Sequence, residues 1–328
     1  MPSLAKPSMW TGIIANPSAG RGRGRQNVEK LKAAFHARGV QVDCALTPQE
    51  RHRIIKEALS LPFDRKWIVA IGGDGTVNAL VNECPDIAFC NFASGTENLF
   101  ARAFHTPNQP ELLVDWVIKA NTRRMDVGEF REIGSDPATS RRFALMLGFG
   151  FDAAVVNRHH SQRLSRTGLA RPTSRLAYVG PLAYEAWNYK FQPVRFSWTN
   201  DEGKSCEQIG STSIIFNMNC YAIGLKFVPE STAFDHYLDT IAFARSGSVQ
   251  AGVYMATVAA GLHPRLRSVS KGRMRELNVE ALEAPVPVQM DGDPAGWILP
   301  GKPWSIKCLP ESCPILIHPD RTNREPGR

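Results

Sequence analysis

The sequence predicts an α/β protein with an N-terminal doubly wound parallel sheet and a second, mostly antiparallel β-sandwich domain. Three observations carry that prediction. Up to Asn121, apolar β-branched runs alternate with amphipathic stretches of helical spacing, the signature of a parallel sheet covered on both faces. The run Trp67-Ile-Val-Ala-Ile ends in Gly72-Gly73-Asp74-Gly75-Thr76, a buried strand passing through a tight turn into a helix. After Asn121 the alternation gives way to short strands punctuated by turn residues.

Trp10 to Ala15 is the first strand, and it runs into Asn16-Pro17-Ser18-Ala19-Gly20-Arg21-Gly22-Arg23-Gly24-Arg25. Small residues there admit a polyphosphate and guanidinium groups offset its charge, although a flexible basic loop accounts for the same spacing. It is neither a Walker A loop nor the dinucleotide fingerprint, whose glycine spacings are absent. Val28, Leu31 and Phe35 place a helix over Gln26 to Arg38, with Gly39 as its stop. Val40 to Leu46 alternates as a strand, and Thr47-Pro48 opens a helix through about Ser60.

In the central turn, glycine lacks a Cβ, so the backbone can take positive φ and let a phosphate or ribose lie directly against it. Backbone N–H groups and the helix N-terminus then face that ligand, while Asp74 has no neutralising neighbour in sequence. Val77, Leu80 and Val81 continue the helix; Ile87 to Phe92 is the next strand. Gln109 to Ala120 carries Leu112, Leu113, Trp116 and Val117 on one packing face. In open parallel sheets ligands sit beyond the carboxyl ends of the strands, where the glycine turns fall.

Gly72-Gly73-Asp74-Gly75-Thr76 resembles the nucleotide-binding signature of the diacylglycerol kinase catalytic domain family, which includes bacterial lipid kinases, sphingosine kinases and ceramide kinases. NAD kinases and phosphofructokinases share the Gly-Gly-Asp-Gly core. Further matches follow in the family's order: Asn16-Pro17 with Gly20, then Gly95-Thr96-Glu97-Asn98 for Gly-Thr-Gly-Asn, then the Gly150-Phe151-Asp152-Ala153 segment, and finally Asp291-Gly292-Asp293 for Asp-Gly-Glu. NAD kinase does not explain the second and third of these. Glu97 stands where the family has glycine, directing a carboxylate to a cleft or to solvent, Ala79 where it commonly has glutamate, and Asp293 for the closing glutamate.

The resemblance implies an ATP-dependent lipid kinase that uses Mg2+ and transfers the γ-phosphoryl group to a lipid hydroxyl, diacylglycerol-like or sphingoid/ceramide-like. Its nucleotide contacts fall on Asn16, Gly20, Arg21, Gly72, Gly73, Asp74, Gly75, Thr76, Asn78, Gly95 and Thr96, and Arg175, at the end of the basic stretch Arg158 to Arg175, is also able to reach phosphate. Asp74, Asp291 and Asp293 are the catalytic carboxylates, expected to converge from two domains. Asp291 is assigned the substrate proton and Asp74 the phosphate, with Asp74 and Asp293 supporting the metal; the reverse assignment fits the sequence as well. Asp235 or Asp239 matches the family's Asp-Gly-x-Leu segment. The domains implied are 1–124, completed by about 305–320, then 125–304, and a polar tail at 321–328.

Composition sets the remaining expectations. The chain has 328 residues, 43% hydrophobic and 21% charged, with a net charge of +8. That basicity suits an anionic surface, and with the resemblance it implies peripheral association with an anionic membrane; a nucleic-acid partner would rest on charge alone and is not expected. Homo-oligomerisation is compatible with the sequence. Seven cysteines without repeating spacing, and no export segment, imply reduced thiols and a cytoplasmic location. His159-His160 reads as a solvated pair in an Arg-rich loop, and Arg265 to Arg275 as a strand with a basic outer face. A nucleotide- or lipid-binding protein that has lost catalysis through Ala79 and Asp293 is the competing expectation.

Overall fold

The structure is a computed structural model that describes residues 8–16, 24–83, 86–163 and 178–321. These fall into two units, one formed by the chain up to Met125 with the segment from Ser312 onward, the other by Asp126–Glu311.

The first unit is a parallel sheet ordered β2-β1-β3-β4-β16, with β1 Met9–Ala15, β2 Gln41–Ala45, β3 Arg65–Gly72, β4 Phe89–Ala93 and the returning end of β16, Trp304–Ile317. Ile315 lies beside Phe89 in parallel register. Successive side chains of β1 point to opposite faces. Ile13 packs with Val28, Leu31 and Phe35 of α1, Gly24–His36, and with Leu113 and Val117 of α5, Pro110–Lys119. At Gly12 an added Cβ would instead meet Ile54 of α2, Pro48–Ala58, at 2.8 Å, so helices cover both faces. A capping box opens α2: Glu50 N–H donates to Thr47 Oγ1 at 3.2 Å and the Glu50 carboxylate accepts from Thr47 N–H at 3.0 Å. Leu112, expected on the packing face of α5, is exposed, and that helix buries Val114 instead.

The second unit is a sandwich. One antiparallel sheet runs β12-β11-β10-β7-β14-β15: Val269–Met274, Leu238–Phe243, Thr212–Phe216, Met146–Gly150, Val286–Met290 and Asp293–Ile298. Opposite it lie β8 Val194–Thr199, β9 Ser205–Gly210, β13 Glu276–Ala281 and the start of β16, with β5 Asn121–Glu132 and β6 Arg141–Phe143 at the side of β16. Inward residues of both sheets share one core, where Phe149 meets Phe196 edge-on at 5.4 Å and Phe130 stacks on Trp304 at 5.2 Å. Helix α6, Phe151–Arg163, packs on β14, β15 and β7, and with α7, Val179–Asn188, and α8, Ser248–Ala259, it forms a small apolar cluster around Phe151, Val155 and Ala251.

The reading of His159-His160 as a solvated loop pair is corrected here. Both lie on α6, and His159 is buried, stacked on Tyr178 at 3.8 Å. The neighbouring arginines hid a helix because an Arg-rich stretch carries no apolar periodicity of its own.

Candidate active site

The carboxyl ends of β3 and β4 bring two glycine turns together. Helix α3, Asp74–Glu83, begins at Asp74 itself, so Gly75 and Thr76 are in its first turn, and Thr76 N–H donates to Gly73 O at 3.0 Å. Ser94 N–H donates to Gly72 O at 3.0 Å, tying the second turn to the first. The expectation of positive φ is not met: none of Gly72, Gly73, Gly75 and Gly95 is left-handed. Close approach requires glycine here instead. A Cβ on Gly95 would lie 2.6 Å from the Gly73 Cα, and one on Gly72 would strike the Thr76 side chain.

Asn98, at φ 50°, closes the second turn on itself: Gly95 N–H donates to its Oδ1 at 2.7 Å and its Nδ2 donates to Gly95 O at 2.8 Å. Buried Asn91 reaches Ala70 O and Gly72 O at 3.1 and 3.3 Å, which holds the end of β3 in place. Glu97 does not project freely into a cleft or solvent. Its side chain is only 10% exposed and faces Arg102 at 3.8 Å.

Asp74 gains from tertiary structure the neutralising groups it lacks in sequence. Its Oδ2 accepts from Leu99 N–H and its Oδ1 from Phe100 N–H, both at 3.0 Å, at the start of α4, Leu99–Ala103. Asn98, the residue formally preceding that helix, makes no side-chain cap, so Asp74 caps it from another segment. Asn16 stands beside the same strand ends, its N–H donating to Ile71 O at 3.2 Å. Asn78 lies one turn into α3, where its Oδ1 accepts from Asn82 Nδ2 at 3.2 Å. Gly20, Arg21 and Arg175 lie outside the described residues.

In the second unit, Asp291 and Asp293 flank the turn between β14 and β15. Asp291, at φ 50° and buried, accepts three main-chain hydrogen bonds: from Ala144 at 2.9 Å, Leu145 at 2.8 Å and Met146 at 2.9 Å. Both of its oxygens are thereby turned to the main chain of the Ala144–Met146 segment. Asp293 is different. Its side chain is 48% exposed, with His160 Nδ1 at 3.8 Å, and its charge is felt by the Arg141 guanidinium.

Of the buried polar groups behind that turn, the sequence marked Asp152 through its motif but not the partners that hold it. Asp152, on α6, accepts from Tyr221 Oη and, at 2.9 Å, from Gln289 Nε2, while Gln289 Oε1 accepts from Gly292 N–H at 2.9 Å. Burial pushes the Asp152 carboxyl up, with the two hydrogen bonds opposing it, and pushes the Tyr221 hydroxyl well above its ordinary value. Asp126 is fully buried in β5, accepting from His236 N–H at 2.7 Å and Glu311 N–H at 2.8 Å. The one sequence signal for it is a carboxylate inside the apolar run Met125-Asp126-Val127. Asp235, a candidate by motif, pairs with Arg273 at 2.9 Å. Among the described residues no group of three or more His, Cys, Asp or Glu side chains forms a metal cage.

A parallel sheet with facing glycine turns at its carboxyl ends, in a chain that also builds a β-sandwich, is an arrangement suited to receiving a phosphate group. The family described as the diacylglycerol kinase catalytic domain matches residues 11–130, and the YegS C-terminal NAD kinase beta sandwich-like domain matches residues 146–317. The chain belongs to this diacylglycerol kinase family, which places it among the lipid kinases. Similar curated proteins are the diacylglycerol kinases of Staphylococcus carnosus, 23% identical over 87% of this chain and 88% of that one, and of Staphylococcus saprophyticus, 22% identical over 90% and 92%. A crystal structure of a diacylglycerol kinase from Bacillus anthracis superposes with TM-score 0.67 at 18% identity, covering 96% of this chain and 99% of that one. Yeast NADH kinase complexed with NADH shares the fold more distantly, with TM-score 0.51 at 10% identity over 96% and 84%.

Proposed function

We propose that this protein transfers the γ-phosphoryl group of ATP to the hydroxyl of a membrane lipid alcohol of the diacylglycerol or sphingoid class, working peripherally at an anionic membrane. The observation that carries the reading is the bare main chain where Gly73 meets Gly95 beyond the ends of β3 and β4. Phosphate oxygens need such a surface, because backbone N–H groups can reach them only where no Cβ intervenes. The proposed nucleotide contacts are Asn16, Gly72, Gly73, Gly75, Thr76, Asn78, Gly95 and Thr96, extended from the sequence to Gly20, Arg21 and Arg175.

Asp74 fits a Mg2+ ion brought by the nucleotide. Its carboxylate opens α3 beside the two glycine turns, and carboxylate oxygens are the ligands that Mg2+ favours. Bound there, the ion would neutralise charge on the β- and γ-phosphates. The lipid hydroxyl oxygen forms its new bond to the γ-phosphorus as the bond to the β-phosphate oxygen breaks, and ADP leaves. The hydroxyl proton goes to a carboxylate. We place that role on Asp293 rather than Asp291, whose oxygens already accept three main-chain N–H groups. Asp291 then serves to hold the turn that presents Asp293.

The test is an assay of purified protein with ATP and Mg2+ against diacylglycerol, sphingosine, ceramide and monoacylglycerol, reading phosphorylated lipid and ADP. A phosphorylated product from one of these classes is expected. Nucleotide binding with no product from any of them overturns the reading in favour of a binding protein.

A further inference from the structure

The exposed residues of α7 and α8 are themselves uncharged, while the Arg158 guanidinium of α6 lies over the Tyr184 ring at 3.4 Å. On α7 the exposed positions are Val179, Gly180, Ala183, Tyr184, Trp187 and Asn188, and its one charged residue, Glu185, is buried and paired with Arg158. From Ser248 to Leu262, α8 and its C-terminal turn have no charged residue, and Val249, Gly252, Val253 and Ala256 face outward. Trp187 is 81% exposed and Val249 83%. A helix turned to water ordinarily carries its charges outward, so two neighbouring helices that both omit them present a surface made for something other than water. The two pack against each other, with Leu182 and Ala186 of α7 and Ala251 of α8 in one apolar cluster, so their inward faces are already occupied.

The chain on either side of α8 is basic. No acidic residue occurs between Asp239 and Glu276, a segment with six lysines and arginines. Arg245 precedes α8, and Arg265 and Arg267 follow it; all three are exposed and none forms an ion pair among the described residues. Lys190, just beyond α7, is exposed as well.

We infer that the outer faces of α7 and α8 are the surface by which this protein docks on an anionic lipid bilayer, with Trp187 and Val249 entering the interface and the arginines flanking α8 meeting lipid phosphates. Charge complementarity selects this occupant. An uncharged helix face bordered by arginines matches a layer whose interior is apolar and whose surface is anionic. Trp suits that boundary, having an apolar body and one polar N–H. The inference deepens the lipid-kinase reading and rests on it for the source of substrate.

Sedimentation of the full chain with vesicles tests it without turnover. The wild type should partition onto phosphatidylglycerol-containing vesicles more than onto phosphatidylcholine alone. Val249→Asp and Trp187→Ala should each cut that partition by about tenfold, and Arg265→Glu with Arg267→Glu should remove the preference for anionic lipid. Unchanged thermal unfolding of these exposed-site variants separates lost docking from lost fold. Wild-type protein that binds neither vesicle, or variants that bind as the wild type does, overturns the inference; so does a face that only pairs two copies, seen as a wild-type dimer made monomeric by Val249→Asp with no vesicle binding. Phosphorylation of a short-chain, water-soluble diacylglycerol should survive in all these variants. Failure of that reaction in the wild type counts against the kinase reading, while the vesicle result stands by itself.

Discussion

Gly95 lies so close to Gly73 that a Cβ at position 95 would sit 2.6 Å from the Gly73 Cα, whereas the reverse substitution would bring a Cβ to 3.2 Å from the Gly95 Cα. The contact is main chain against main chain, so no side chain can turn away to relieve it. Gly95→Ala should cost about 1–3 kcal/mol, as overpacked sites do, and should weaken ATP binding by separating the two turns. Gly73→Ala should be milder in both respects. Thermal unfolding and nucleotide titration of the two variants check the order; equal effects would show that the asymmetry is irrelevant.

Asp74 joins two roles that mutation can part. Its carboxylate caps α4 through Leu99 and Phe100 N–H, and it is also the proposed partner of the nucleotide's metal. Loss of a cap typically costs about 1 kcal/mol, so Asp74→Ala should lower the melting temperature as well as abolish turnover. Asp74→Asn keeps one acceptor oxygen but turns an amide N–H toward a donor, so it should also lose stability. An Asp74→Asn protein as stable as the wild type would remove the capping account, and retained turnover would remove the catalytic one.

Local patterns made much of the first unit readable. Thr47-Pro48 with Glu50 announces a helix start, Gly39 stops α1 at φ 74°, and the Trp67 run announces β3, because each depends on neighbours in sequence. What the Asp residues do could not be read that way. Asp74 meets Leu99 and Asp291 meets Ala144 across separations of 25 and 147 residues, so the donors occupying them appear only after the chain has folded. The same holds for Asp152, whose partners Tyr221 and Gln289 belong to distant segments.

Asp291 and Asp293 should separate stability from chemistry. Asp291→Ala would orphan three main-chain donors, and each buried unsatisfied group costs roughly 1–3 kcal/mol, so this variant should unfold far earlier than the wild type. Asp293 is half exposed, and Asp293→Asn should leave stability within about 0.5 kcal/mol while lowering kcat by roughly 100-fold or more. Asp293→Glu restores the length the family favours and should raise kcat. An Asp293→Asn enzyme with wild-type kcat would return the proton-accepting role to another group.

Asp239 gives the protein a stability that depends on pH. Burial pushes its carboxyl up from 3.8 to about 6, with the nearby Ser231 hydroxyl opposing and the charge of Asp235 adding to the rise. The native state therefore holds a proton that the unfolded chain has already released between those values. Stability must fall as pH rises through that window and stay lower above about 6, by at most about 3 kcal/mol at 1.36 kcal/mol per unit. Asp239→Asn cannot ionise and should escape the loss. Its melting temperature relative to wild type should climb from pH 4 to pH 6 and then level off once Asp239 is ionised in the native wild type as well. A difference that is constant with pH would mean that Asp239 is already ionised at the bottom of the window.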